Sequence, residues 1–146
     1  MTVAFSILAL VILTACLAVL HSVTRDSVAA GTLRIEYSGG SVDILLSSIE
    51  STHVCGTIVD GKGEKSLVDA EGILLVDLLD EAGVTALSQV IVCADDEYSA
   101  TVTAQEIYDS NRIYLLLHDD EPPQLLVFGD SNSKRNVTSV VRLIVS

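Results

Sequence analysis

The sequence is short of basic residues. It carries 8 lysine and arginine residues against 20 aspartate and glutamate residues, and its formal net charge at neutral pH is −12. A field of that sign repels phosphate backbones and anionic lipid headgroups. The composition therefore excludes nucleic acid as a partner.

The sequence also lacks the features expected of a repeat protein or of a hydrolase with an activated serine. It contains no internal repeat and no low-complexity tract, and 146 residues leave room for one domain. Ser99 has no histidine motif or glycine-rich oxyanion motif beside it.

The acidic clusters Asp95–Glu97 and Asp119–Glu121 lack the spacing of a calcium loop, so we interpret them as solvated turns. Two prolines follow the second cluster, and no central strand could contain them.

A long apolar run is present at the N-terminus. Residues 3–20 contain no charged side chain, and as a helix they would span roughly 27 Å, about the thickness of a bilayer core. A terminal segment that is apolar on every face has no side suited to water, which favours lipid. We therefore predict a hydrophobic anchor or signal segment at residues 1–22, contact with a membrane through residues 3–20, and a polar tether at residues 23–31.

The sequence leaves three mature forms of this segment open. Leu13–Cys16 fits a lipobox, in which Cys16 would be lipidated, although apolar residues continue past it. A cleaved secretory signal would end near Ala30, although no lysine or arginine precedes the run. The third form is an uncleaved transmembrane anchor, and the few flanking charges do not decide its orientation.

Alternation of apolar and polar residues predicts a strand-rich domain over residues 32–146. An amphipathic helix is predicted at Leu74–Ala82, ending at Gly83, and a short helix follows the capping-box pair Thr103 and Glu106. These helices interrupt groups of strands instead of alternating with them, which favours an α+β fold with mixed sheets. Strands are predicted at Leu33–Tyr37, Ser41–Ile44, Thr52–Val59, Leu87–Cys93, Tyr98–Ala104, Ile113–Leu117, Gln124–Phe128 and Val137–Val145.

With these elements in order, the second half of the chain resembles the sulfite-oxidase-type molybdopterin-binding domain, particularly its short, stand-alone microbial members. The likeness is firm over about half of the chain and looser over residues 33–58. It implies the strand-rich α+β fold of that family. The stretches that carry it are Glu71–Val84, Val90–Ala100, Gln105–Ile107, Ser133–Asn136 and Val137–Val145.

The resemblance also implies where a molybdopterin cofactor would bind. Family members that hold the cofactor bind its metal through a cysteine thiolate, a soft ligand, and Cys55 lies in the corresponding region. Cys55 is thus the expected metal ligand. The residues expected to contact the cofactor are Cys55, Gly56, Asp96, Tyr98, Lys134 and Arg135.

Several departures from the family pattern argue that the cofactor has been lost. The small residue and the asparagine that follow the family's cysteine and glycine are missing, as is an arginine pair after them. Glu97 replaces a glycine and Asn136 replaces a tryptophan. An anionic cofactor needs arginine, lysine or helix N-termini, and this domain is acidic. We expect no cofactor, with molybdopterin as the alternative.

The remaining candidate side chains have two interpretations each. His53 and Cys55 are two residues apart on a predicted strand and could share a metal, but no third ligand is near in sequence, so we interpret them as a packed pair. Cys55 and Cys93 are either a disulfide outside the cytoplasm or two free thiols. Asn136–Thr138 matches an N-glycosylation pattern, which has meaning only outside the cytoplasm.

The sequence therefore predicts a non-enzymatic, membrane-anchored module that binds a protein or a small ligand. By the family resemblance, its folded domain lies on the extracytoplasmic side of the cytoplasmic membrane. One alternative is a molybdopterin-dependent oxidoreductase subunit with Cys55 on the metal. A second is a structural subunit of a surface assembly in which the apolar helices of several copies pack together.

Overall fold

A computed structural model of the chain describes residues 31–119 and 121–146. The predicted anchor or signal segment at 1–22, its Cys16, and the tether as far as residue 30 lie outside the described residues. Within the described ranges, no helix combines the length and the apolar character needed to cross a membrane.

The described residues contain nine strands and two short α-helices, and a 3-10 turn at Leu46–Ser48 follows the second strand. This content confirms the predicted strand-rich α+β class. The elements are β1 Thr32–Tyr37, β2 Gly40–Leu45, β3 Thr52–Val59, β4 Lys65–Leu74, α1 Leu75–Glu81, β5 Gln89–Ala94, β6 Ser99–Thr103, α2 Ala104–Ser110, β7 Ile113–His118, β8 Glu121–Val127 and β9 Val140–Val145.

The strands form two sheets. One has five strands in the order β2-β1-β9-β5-β6, and the other has four in the order β3-β4-β7-β8. Neighbouring strands are antiparallel except β1 and β9, which pair in parallel through residues such as Ile35 and Leu143. The five-stranded sheet is therefore mixed, and its central strand comes from the far end of the chain.

One main core joins both sheets and both helices. Side chains that alternate along the strands face it, as do the apolar sides of α1 and α2, and no polar residue of the described part is fully buried. The largest fully buried side chains of this core are Leu33, Ile35, Ile73, Leu75, Leu78, Leu79, Val90, Ile113, Leu115, Leu125 and Leu143.

The β3–β4 hairpin curls over the opposite face of the four-stranded sheet. Strand β4 pairs with β7 only through Gly72–Leu74, so most of the hairpin extends past the sheet. Gly56 of β3 contacts the ring of Phe128, although β3 and β8 are the two edge strands. The hairpin covers a second apolar cluster, which consists of Val54, Leu116 and Leu126 with Ile58, Val68, Ala70, Tyr114 and Phe128 around them.

Most predicted elements are present in the structure. Strand β3 has its predicted bounds, the opening hairpin is β1–β2, and the two helices begin within a residue of their predicted starts. The capping box of α2 is formed, with Thr103 and Glu106 bonded to each other's backbone N–H groups. Gly83 follows the end of α1 with φ +72°, the left-handed conformation that glycine adopts readily.

The structure differs most from the predicted elements in three places. Strand β4 was not predicted at all. Residues 121–123, predicted to belong to an acidic turn, begin β8; the two prolines are tolerated because β8 is an edge strand. The last strand begins at Val140, not at Val137, which instead forms an isolated bridge with Leu125.

Candidate functional site

The main cluster of charged side chains joins α2 to the loop between β8 and β9. Arg135 donates through Nε and Nη2 to the two carboxylate oxygens of Asp130, at 2.7 and 2.6 Å, and through Nη1 to Glu106 at 2.6 Å. Arg112 donates to Glu106 at 3.1 Å and to the carbonyl oxygen of Phe128 at 3.1 Å. We call Glu106, Arg112, Asp130 and Arg135 the arginine network.

The capping box of α2 positions the arginine network. Oε2 of Glu106 accepts the backbone N–H of Thr103 at 3.1 Å, while Oε1 of the same carboxylate accepts Arg135. The N-terminus of α2 therefore already has a carboxylate from its own chain, which satisfies the helix end electrostatically.

Within the arginine network, Glu106 and Arg135 each stabilise the ionised form of the other. Burial opposes ionisation of Glu106, but hydrogen bonds from Arg135 and Thr103 outweigh it and lower the pKa of this carboxyl to about 2. The pKa of Arg135 is raised, mainly by its hydrogen bond to Asp130. Burial opposes this shift, and the hydrogen bond to Glu106 adds to it. The two guanidinium groups are thus neutralised within the protein.

The structure brings four of the six sequence-predicted cofactor residues together. The hydroxyl of Tyr98 donates to the carbonyl oxygen of Lys134 at 2.6 Å, next to Arg135 in the same loop. Asp96 accepts the backbone N–H of Tyr98 at 3.0 Å and shapes the turn between β5 and β6. These bonds hold a turn against a loop, so Asp96 and Tyr98 act structurally here.

Asn136 also has a structural role. Its Oδ1 accepts the backbone N–H of Val127 at 3.2 Å, and its own backbone N–H donates to Ser133 at 2.9 Å. The side chain of the Asn136–Thr138 pattern is partly buried and bonded to the backbone. N-glycosylation joins the sugar to Nδ2 and leaves Oδ1 as the acceptor of this bond.

Cys55 and Gly56 lie on a different part of the molecule, on edge strand β3. Gly56 faces Phe128 in the second apolar cluster, so Cys55, the preceding residue, faces outward and is exposed. Its partner across the ladder is Asp69 of β4, and His53 lies 3.3 Å from that carboxylate. The thiol is therefore in an acidic, open environment.

His53 and Cys55 are not the packed pair that the sequence predicted, because both are exposed. Among the described residues, no three histidine, cysteine, aspartate or glutamate side chains are placed to hold a metal ion. Cys55 and Cys93 are free thiols, since Cys55 is on β3 of one sheet and the partly buried Cys93 is on β5 of the other.

The residues present do not fit a molybdopterin site. The expected metal ligand, Cys55, points to solvent beside Asp69, whose negative charge repels an anionic cofactor. Arg112 and Arg135, the guanidinium groups nearest the predicted contact loop, are held by Glu106 and Asp130. A phosphate group would have to displace carboxylates to reach them.

A cavity of about 340 Å³ lies elsewhere, beside the turn between β7 and β8. Sequence reasoning did not find it, because its walls come from a turn, a strand end and a 3-10 turn that share no motif. None of the predicted cofactor residues lines it. Its lining residues are Gly31, Leu45, Leu46, Ser47, Leu117, His118, Asp119, Glu121 and Pro123.

A scan against models of known protein families finds no match to this chain, and a search of curated proteins finds none either. The family resemblance therefore stands on the sequence stretches alone. Glu97, in the turn between β5 and β6, has φ +70°. This left-handed conformation favours glycine.

Proposed function

We propose that this chain is a non-enzymatic, membrane-anchored module that binds another protein on the extracytoplasmic side. In this proposal the folded domain has a sulfite-oxidase-like fold and no molybdopterin. The observation that carries it is the outward, acidic setting of Cys55 together with the internal neutralisation of Arg112 and Arg135.

Two observations support the family assignment within this proposal. The motifs occur in the family's order along the chain, and the left-handed backbone at Glu97 is the conformation that the family's glycine would adopt. Fold and function are separable, so the proposed fold does not require the cofactor.

The arginine network supports the loss of cofactor chemistry. Guanidinium groups that bind phosphate must be free to donate toward it. Here both guanidinium groups instead hold the loop after β8 against α2. Residues that would serve a cofactor site thus serve the fold.

The membrane part of the proposal is supported by the uncharged run at residues 3–20. As a helix, that run is long enough to cross a bilayer core. The extracytoplasmic location is inferred from the resemblance alone.

Elemental analysis and pterin fluorescence test the loss of the cofactor. Full-length protein purified from its native host should contain molybdenum and pterin far below one per chain. One molybdenum per chain would contradict the proposal and favour an oxidoreductase subunit. In that case Cys55→Ser should abolish the metal, whereas Cys93→Ser, the matched control, should retain it.

Membrane fractionation tests the anchor. The full-length protein should stay with membranes after carbonate extraction, and protease added to intact cells should digest the domain. A chain that remains a soluble monomer without detergent would contradict the proposal. Intact mass then distinguishes the retained, cleaved and lipidated forms.

A further inference from the structure

The two sheets have four edge strands, which differ in how far they are blocked against pairing with other chains. Exposed strand edges invite such pairing, and proline, charge or short length prevents it. Strand β8 begins with a glutamate and two prolines, and β2 carries an aspartate. Strand β6 has no proline or charged residue, and its five residues offer a shorter edge than the eight of β3.

Strand β3 has no such protection. Its eight residues, Thr52–Val59, include no proline, lysine, arginine, aspartate or glutamate, and most are β-branched or small. In the described part of the chain, β3 pairs with β4 only, and none of its residues joins a backbone hydrogen bond outside that ladder. One row of its N–H and C=O groups is therefore open to a new strand.

We propose that β3 is the docking site for an extended segment of a partner protein, which adds to the four-stranded sheet as a fifth strand. This inference rests on the proposed binding role and names the surface that performs it. Strand addition supplies affinity through backbone hydrogen bonds and specificity through alternate side chains.

The outward face of the hairpin selects a basic segment. Asp69 and Glu71 lie on this face beside His53 and Cys55, with their side chains more than half exposed. An added strand would pair with β3, which places Asp69 and Glu71 two strands away from it. Only long basic side chains, lysine or arginine, could reach these carboxylates across His53 and Cys55. A second copy of the chain is disfavoured because each copy carries a net charge of −12.

The inward face of the hairpin selects small apolar side chains at the remaining alternate positions of the added strand. Val54, Gly56 and Ile58 of β3 face the second apolar cluster, and Ile58 is only partly buried. Apolar side chains of an added strand would extend this cluster. The expected partner segment therefore alternates basic and apolar residues over about eight positions.

Peptide binding to the full-length protein in detergent micelles tests the docking site. The probe is a fluorescent eight-residue peptide of alternating lysine and valine, measured by anisotropy at physiological ionic strength. It should bind saturably, and it should slow thiol alkylation of Cys55 while leaving Cys93 unchanged, with each cysteine read by peptide mass mapping.

Two control peptides separate strand addition from charge attraction. A peptide with alternate backbone nitrogens methylated keeps the side chains but loses one row of donors, and a glutamate-valine peptide reverses the charge. Both should bind at least tenfold more weakly. Equal binding of the methylated peptide, or protection of Cys93 in place of Cys55, would overturn the proposal.

A pair of double variants tests the charge selection. Asp69→Asn with Glu71→Gln should weaken lysine-valine binding about fivefold, since two exposed ion pairs are lost. Asp77→Asn with Asp80→Asn removes the same charge from α1 and should leave binding unchanged. Equal weakening by both double variants would overturn the role of the hairpin face.

The outcome is separate from that of the cofactor test. Peptide binding by a protein that also contains molybdenum would support the docking site and contradict the proposed loss of cofactor. Absence of saturable binding in a molybdenum-free protein would overturn the docking site alone. Concentration-dependent dimers that protect Cys55 would overturn the basic partner in favour of a second copy.

Discussion

At the scale of single residues, Glu97 carries a backbone conformation that costs free energy. A left-handed φ of +70° brings Cβ close to the following carbonyl group. The backbone N–H of Ala94 donates to the carbonyl oxygen of Tyr98 across this turn, which fixes the conformation. Glutamate is tolerated here, and glycine would fit better.

Glu97→Gly is therefore expected to stabilise the protein by about 0.5–1 kcal/mol, because relief of strain exceeds the added freedom of the unfolded chain. Urea denaturation followed by circular dichroism would measure this. Glu97→Ala is the matched control, since alanine keeps the strain and should give no gain. An equal gain from both variants would point to removed charge as the cause.

A second residue-scale prediction concerns acid stability. The pKa of Glu106 is about 2 in the folded protein, below its ordinary value of 4.5. A carboxyl that is more acidic when folded stabilises the fold above its unfolded pKa. This contribution is complete above pH 4.5 and is lost as the pH falls toward 2.

Glu106→Gln should lower the free energy of unfolding at pH 7 by on the order of 1–2 kcal/mol, a value reduced for partial exposure. It should also flatten the decline in stability between pH 4.5 and 2. Asp109→Asn, on the same helix and exposed, is the control and should preserve the decline. Parallel pH profiles for wild type and Glu106→Gln would refute the assigned role.

At the scale of elements, the curled β3–β4 hairpin depends on the absence of a side chain at Gly56. A Cβ on Gly56 would lie 2.7 Å from the ring of Phe128, and that ring packs edge-on against Tyr114 at 5.9 Å between centroids. The ring has little room to move. Gly56 is thus what allows the hairpin to cover the second apolar cluster.

Gly56→Ala should destabilise the protein by about 1–3 kcal/mol through overpacking. Gly61→Ala, at the tip of the same hairpin, is the control; a Cβ there meets nothing within 4 Å and the change should stay within about 0.5 kcal/mol. Thermal or urea denaturation distinguishes them. If Gly56→Ala left the free energy of unfolding unchanged, the hairpin would be able to shift and accommodate the added methyl group.

The elements that could be predicted from sequence are those with a local cause. The capping box set the start of α2, an apolar run marked β5, and strict alternation marked β6. Strand β4 was missed because its apolar face carries small residues, such as Ala70 and Gly72, while its other face is charged. Its strand character follows from pairing with β3, a contact that no local pattern expresses.

The candidate site was predictable only in part, for the same reason. Sequence motifs grouped Tyr98 with Lys134, and the structure joins them. The same motifs grouped Cys55 with that loop, but alternation along β3 turns the thiol outward. Asp130 was not singled out, and Glu106 was predicted only as part of the helix cap, since its ion pair depends on Arg135, 29 residues along the chain.

At the scale of the whole molecule, the two sheets share one main core and should unfold together. Leu125 of the four-stranded sheet is fully buried in that core, and Cys93 lies on the five-stranded sheet. Loss of packing in one sheet therefore removes support from the other.

Leu125→Ala should destabilise the protein by about 2–5 kcal/mol. The urea midpoint measured by loss of circular dichroism and the midpoint measured by gain in Cys93 reactivity should fall by the same amount. Leu67→Ala, at a side chain that is 72% exposed, is the control and should change little. Separate transitions for the two signals would indicate sheets that unfold independently.

The parallel pairing of β1 with β9 has a consequence for how the chain is made. Until the ribosome has released β9, the β1–β2 and β5–β6 hairpins have no common neighbour in their sheet. Pairing partners separated by more than a hundred residues, such as Ile35 and Leu143, also close slowly because of the entropy of the intervening loop. Nascent chains should therefore lack the complete five-stranded sheet until β9 has left the ribosome.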